Sequence, residues 1–221
     1  MKSFLLVVLL ALCSAGPKID PGKKITAKPV TSAKTVLLEY TGSLSSSFAK
    51  ITIGAQLSLD TSIGFRYDVT FENGDRILGH TALFYKFSSP DQTIFYNYLN
   101  HKTEVIKHKA TDPGNNVTVV GKEKIDSFSC THLNHKSGHG SEDYWMSTSV
   151  PGFSQLTQIF KQINPGLIAS INETIFNWGG LVRIRMIDTT PNGQTIMNLN
   201  LIEAQTGLVF RPTDFDVPKK Q

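Results

Sequence analysis

Between Ile51 and Asp60 apolar and polar residues alternate without a break. Ile51, Ile53, Ala55, Leu57 and Leu59 take one phase, and Thr52, Gly54, Gln56, Ser58 and Asp60 take the other. A period of two is the period of a strand with one face on a core and one in water; a helix would repeat at three and four. Phe65, Tyr67, Val69 and Phe71 alternate in the same way with Arg66, Asp68, Thr70 and Glu72. Asn73-Gly74 follows directly. Both residues tolerate positive φ, so the sequence predicts a type I′ turn at Asn73-Gly74, with the chain returning through Arg76 to Phe87.

Further strands follow the same logic. Pro90-Asp91 marks a turn, and 93–99 and 103–109 read as a hairpin around Asn100. Asp112-Pro113-Gly114-Asn115 breaks the chain before a strand at 117–120, and strands are expected at 127–133 and 142–148. Then the period changes. Phe153, Leu156, Ile159, Phe160 and Ile163 recur at three and four residues, the stripe of an amphipathic helix. Leu167, Ile168, Ile171, Ile175 and Phe176 suggest a second short one. Strands at 181–187 and 195–204 close the pattern around Pro191-Asn192-Gly193, with 208–211 as a last strand. A meander, a helical insertion and closing strands imply a β-rich α+β fold. Its expected form is one large curved antiparallel sheet with the short helical insertion packed on its concave face.

The first 35 residues read differently. Lys2, an apolar run from Phe4 to Leu12 and small residues at 13–15 make a signal peptide over 1–15. The run is too short to span a bilayer, which takes roughly 20 residues. A lipidated Cys13 is the alternative, but Leu12 is bulky where such signals carry Gly or Ala. Residues 16–35 hold five lysines and three prolines and read as a flexible basic arm. A single domain is expected over 36–218, with 219–221 as a tail. The formal net charge is +4, and the arm accounts for the excess. With no basic patch elsewhere, no nucleic-acid partner is expected. Nor is a transmembrane segment expected in the mature chain. Of the two cysteines, Cys13 leaves with the leader, so Cys130 has no partner and a disulfide framework is excluded.

Motifs for chemistry are sparse. His132, His135 and His139 stand near Glu142 and Asp143, and imidazole with carboxylate can hold zinc. Their spacing fits no helix-based metal motif, and Lys136-Ser137-Gly138 reads as a hairpin tip in a histidine-rich polar stretch. Ser141 lacks the glycine spacing of a nucleophile elbow. No phosphate loop or dinucleotide fingerprint occurs, so no catalytic residue and no cofactor is expected. Asn116-Val117-Thr118 and Asn172-Glu173-Thr174 have the form of glycosylation acceptors. The chain carries 13 Phe, 6 Tyr and 2 Trp, most of them placed to fill a core.

One stretch resembles a known family. Val119-Val120-Gly121-Lys122-Glu123-Lys124-Ile125-Asp126-Ser127-Phe128-Ser129-Cys130 leads to Glu142-Asp143-Tyr144-Trp145-Met146-Ser147-Thr148-Ser149-Val150-Pro151, and Phe215-Asp216-Val217-Pro218 stands near the end. This resembles a family of secreted bacterial domains of unknown function related to the LolA-like and LolB-like lipoprotein carriers. The departures are Ser127, where a glycine or other small residue is usual, and a long loop expected over 134–141. The resemblance implies an incomplete barrel closed by helices, a periplasmic or cell-envelope location, and binding of an acyl chain or other hydrophobic molecule. On that reading Phe65, Tyr67, Val69 and Phe71 face Phe153, Leu156, Ile159, Phe160 and Ile163 across a ligand. Two other readings stand beside it. One is a structural or protein-interaction module with a filled core. The other is a metal-dependent or hydrolytic protein using the His132–His139 loop.

Overall fold

A computed structural model gives the architecture and describes residues 34–89, 92–107, 117–137, 140–153, 178–191 and 193–218. Among them run eleven strands. They are β1 (Thr35–Ser45), β2 (Lys50–Asp60), β3 (Gly64–Asn73), β4 (Arg76–Lys86), β5 (Gln92–Asn97), β6 (Lys102–Lys107), β7 (Val117–Ile125), β8 (Phe128–Ser137), β9 (Gly140–Ser147), β10 (Gly180–Thr190) and β11 (Gly193–Thr206). All belong to one antiparallel sheet in the order β6-β5-β4-β3-β2-β1-β11-β10-β9-β8-β7. The first and last strands in sequence pair at its centre, and β6 and β7 form its two open edges.

Chain length forces this sheet to curve. A flat sheet of this order would separate its edge strands by about 48 Å, at about 4.8 Å per strand. The link from Lys107 to Val117 is about ten residue steps and reaches at most about 35 Å. The inner face carries the core. Across it, Leu133, Tyr144, Ile184, Leu199, Gly42, Ile53 and Phe71 form one lateral row on seven successive strands. The row ends on Gly79, whose missing side chain leaves room for the Phe71 ring.

Several expectations shift. The loop of the β3–β4 hairpin is Gly74-Asp75, not Asn73-Gly74, because Asn73 pairs with Arg76. Gly74 has φ 61 and Asp75 is not in the positive region. Positive φ at the first central residue alone is the requirement of a type II′ turn, where Gly is needed once. The expected hairpin is present, but the long loop expected over 134–141 is not: β8 runs to Ser137, β9 starts at Gly140, and Ser137 pairs with Gly140. The strand expected at 117–120 continues to Ile125 and turns at Asp126, which adopts φ 51. Residues 208–211 form no strand; they lead into a short 3-10 turn, Pro212–Phe215. Of the helical insertion, only Phe153 lies in the described residues, and it is helical there.

Two strand glycines test the packing in opposite directions. A Cβ on Gly42 would overlap the backbone carbonyl of Asn198 on β11, whereas a Cβ on Gly54 meets nothing within 4 Å. Gly42→Val is expected to lower unfolding free energy by about 1–3 kcal/mol, the usual cost of overpacking. Gly54→Val should be neutral or slightly stabilising, since valine favours strands. Urea unfolding of the two variants reads the difference, and equal effects would contradict the register of β1 against β11.

Candidate functional site

The concave face gathers half of the expected ligand wall. Phe65, Val69 and Phe71 on β3 are 6%, 0% and 7% exposed, and Tyr67 is half-buried. All four belong to the main apolar cluster, with Leu38, Ile53, Leu59, Leu83 and Tyr85. Phe65 stacks on Tyr85 with centroids 5.4 Å apart. From the other half of the sheet, Tyr144, Ile184 and Leu199 join the same cluster. Phe153 is half-buried; Leu156, Ile159, Phe160 and Ile163 lie outside the described residues.

One charged side chain interrupts the apolar face. Glu142 on β9 is 6% exposed. Its Oε2 accepts the Tyr144 hydroxyl at 2.5 Å and lies 3.2 Å from His135 Nδ1. Bonding to Glu142 raises the His135 pKa against the opposing effect of burial. Cys130 is also buried, and burial pushes its thiol up to about 11, so it stays protonated and inert near neutral pH.

His132 and His135 do not converge. His135 pairs across strands with Glu142 on the inner face, while His132 pairs with Trp145 on the outer face. Strand geometry sends residues three apart to opposite sides. His139 lies outside the described residues, as do Asn116 and Asn172. Among the described residues no group of three His, Cys, Asp or Glu side chains is placed to hold a metal ion.

The outer face carries two assemblies that the sequence reading missed. The first lies over β3–β5. Asp68 is 3% exposed and bonds Arg66 at 2.6 Å. Arg66 also donates to the Tyr98 hydroxyl at 2.9 Å and sits 5.3 Å from the Phe84 ring centroid. Tyr98 stacks on His80. The C-terminal segment covers this cluster: Arg66 donates to the Asp214 carbonyl, Lys86 pairs with Asp216, and Phe215 is buried. The signal for this cover was Ala82-Leu83-Phe84-Tyr85, an apolar run that abandons alternation and therefore buries both faces. Phe215-Asp216-Val217-Pro218 thus acts as a structural clasp.

The second assembly crosses β8, β9 and β10. Trp145 stands between His132, stacked at 4.4 Å, and the Arg183 guanidinium, 5.7 Å from its ring centroid. The Trp145 indole N–H donates to Glu123. His132 Nε2 and Asn134 Nδ2 both bond Asp143 Oδ1, at 2.9 and 2.8 Å. Arg183 Nε donates to Asn200 at 2.6 Å. Beside this row opens a groove of about 650 Å³ lined by Ser45, Trp145, Arg183, Arg185, Ile196, Asn198 and Asn200.

Two outcomes follow for the clasped cluster. Arg66→Met strands the Asp68 carboxylate in a buried site and is expected to cost roughly 3 kcal/mol in urea unfolding; a loss below 1 kcal/mol would contradict the pairing. His80 is held down to about 4, first by burial and then by the Arg66 charge. A depressed pKa contributes stability that is present above the unfolded value of about 6.5 and lost as pH falls through 4. His80→Phe keeps the stacking surface and removes the titration. The stability difference between wild type and variant should therefore change between pH 6.5 and 4, and a constant difference would refute a half-buried His80 held neutral.

Solved structures similar to this chain include a DUF1329 family protein from Desulfovibrio piger, at 8% identity over 84% of this chain and 90% of that one, with a TM-score of 0.38. A putative outer membrane lipoprotein-sorting protein domain from Vibrio parahaemolyticus matches at 9% identity over 82% and 89%, with a TM-score of 0.37. PNGF-II matches at 10% identity over 83% of this chain but 29% of its own length, with a TM-score of 0.42. No curated protein matches the sequence significantly. No helix among the described residues is long and apolar enough to cross a membrane. The model of the family described as "Domain of unknown function (DUF4412)" matches residues 80–220, more than half of the chain, and the protein belongs to that family.

Proposed function

We propose that the protein is an exported, non-enzymatic carrier of the cell envelope that holds an acyl chain or similar hydrophobic molecule against the concave face of its sheet. The observation that supports this is the continuous apolar lining, which runs from Leu133 and Tyr144 through Ile184, Leu199 and Ile53 to Phe71. Ligand sites are typically concave and mostly apolar with few polar groups, and here Glu142, Tyr144 and His135 are the polar exception. Phe65, Tyr67, Val69 and Phe71 form one proposed wall, and Phe153, Leu156, Ile159, Phe160 and Ile163 the other. Export rests on the leader at 1–15. The competing reading, a module with a self-filled core, differs in one respect: it leaves no space between these walls.

A single substitution separates the two. With space for a ligand, Leu156→Trp fills it, weakening binding of a fluorescent fatty acid while the melting temperature stays nearly constant. With a filled interior, the same change overpacks the core at a cost of about 1–3 kcal/mol. Fluorescence titration and thermal melting of both proteins are measured together. Failure of the unmutated protein to bind, with a large loss of stability in the variant, would end the carrier reading for ligands of this class.

A further inference from the structure

The outer-face groove has a charge imbalance that the fold itself does not need. Its lining offers donors from Arg183, Arg185, Asn198, Asn200 and Ser45 and contains no carboxylate. Two carboxylates stand beside the Trp145 row, Glu123 and Asp143, and both are engaged elsewhere. Glu123 accepts the Trp145 N–H, with His132 Nδ1 at 3.6 Å. Asp143 is the cross-strand neighbour of Arg185, yet it bonds His132 and Asn134. Arg183 is fixed in place by Asn200 and by the Trp145 ring. Arg185 makes no ion pair or hydrogen bond with any described residue, and its neighbour Asn198 has no side-chain partner there either. On the adjoining β2, Lys50 pairs across strands with Ser45 and adds a further cation near the groove's end.

We propose that this groove binds a phosphate group. Arg183 and Arg185 lie two residues apart on one strand face, about 6.6 Å along the strand, so one oxyanion can reach both guanidinium groups. Guanidinium forks match oxyanions in paired hydrogen bonds. Donors line the groove from three strands, β1, β10 and β11, and a phosphate presents oxygens on several sides where a carboxylate presents one edge. The Trp145 row forms a rigid wall: its ring faces are taken by His132 and Arg183, so it positions Arg183 and does not itself stack a ligand. The site is independent of the concave face and stands whether or not the carrier reading does.

The test uses the whole chain with two probes, inorganic phosphate in calorimetric titration and vesicles in sedimentation. The vesicles are phosphatidylcholine alone or with one quarter phosphatidylglycerol. Arg185→Ala should weaken binding roughly tenfold or more, as expected on losing a charge-assisted contact. Arg185→Lys, which keeps charge without the fork, should weaken it less. Asn198→Asp, which places a carboxylate in the groove, should abolish it. Arg76→Ala, at the β3–β4 hairpin, removes the same net charge elsewhere and should change nothing. Melting temperatures of all four variants report folding; should Arg185→Ala fail to fold, Asn198→Asp carries the test. Binding of inorganic phosphate without vesicle association identifies a free phosphate compound as the source. Association with the phosphatidylglycerol vesicles alone, competed by phosphate, identifies a lipid headgroup. Binding of neither probe, or equal losses in Arg185→Ala and Arg76→Ala, overturns the proposal.

Discussion

The pairing of β1 with β11 is the interaction on which the rest of the sheet depends. Val36 is set against Thr206 and Ser45 against Ile196. This ladder joins two meanders, β1–β6 and β7–β11, that otherwise share no strand pair. Without it each half would expose a further sheet edge and lose its neighbour's part of the core. Close approach is built in at Gly42, where any side chain would strike the β11 backbone. The ladder is also costly to form, because residues so far apart in sequence must meet before any contact repays the lost chain entropy. Thr35 tightens the junction by donating to the Leu208 carbonyl at 2.7 Å, so both chain ends leave the sheet beside its central seam.

From that seam the two halves treat their outer faces differently. Over β3–β5 the outer face is dry: Ala82, Phe84 and Tyr96 are buried, and the chain beyond β11 returns to cover them. Over β8–β11 it is polar, and its carboxylates and histidines are tied to each other. One sheet thus serves three environments, namely an apolar concave side, a clasped outer half and a solvated outer half. The Arg66–Asp68 pair belongs to the clasp. A buried ion pair is weak support for stability as such. Its geometry does fix the clasp, since Arg66 also donates to the Asp214 carbonyl.

What the sequence made legible followed local physics. Alternation located β2 and β3 closely, because residue type alternates between apolar and polar in both, even where the polar phase is buried as well, at Asp68 and Thr70. β1 was harder to see: Val36-Leu37-Leu38 is apolar throughout, and Thr41 to Ser47 is mostly small and polar, so the period is blurred at both ends. The hairpin at Gly74 was displaced by one residue, since Asn-Gly and Gly-Asp both suit a tight turn and only register against β4 decides between them. The stretch 134–141 looked like a loop because its residues are polar. Residues 134–137 and 140–141 are strand because β8 and β9 supply each other's partners, including the His135–Glu142 pair. The resemblance pointed correctly to a family of domains of unknown function and to a curved antiparallel sheet. Loss of alternation at Ala82-Leu83-Phe84-Tyr85 signals that the outer face there is covered, but not by what, because Arg66 meets Asp214 across 148 positions of sequence. No period reports a contact of that range.

An open sheet must also keep its edges from recruiting other strands. β6 carries Lys102 and Glu104, and its Val105 is half exposed. β7 carries the larger hazard, with Val119 and Val120 exposed at 49% and 57%. The register slips at that point, between Val119 and Gly121, so Val120 has no partner on β8. A bulge of this kind bends and twists an edge strand away from the flat geometry another chain would need. Lys122 and Lys124 follow on the same strand and add charge to it. The irregularity in β7 and its lysines therefore serve one end: they let the sheet stay open, which a closed barrel would not require, without making the open edge a site of aggregation.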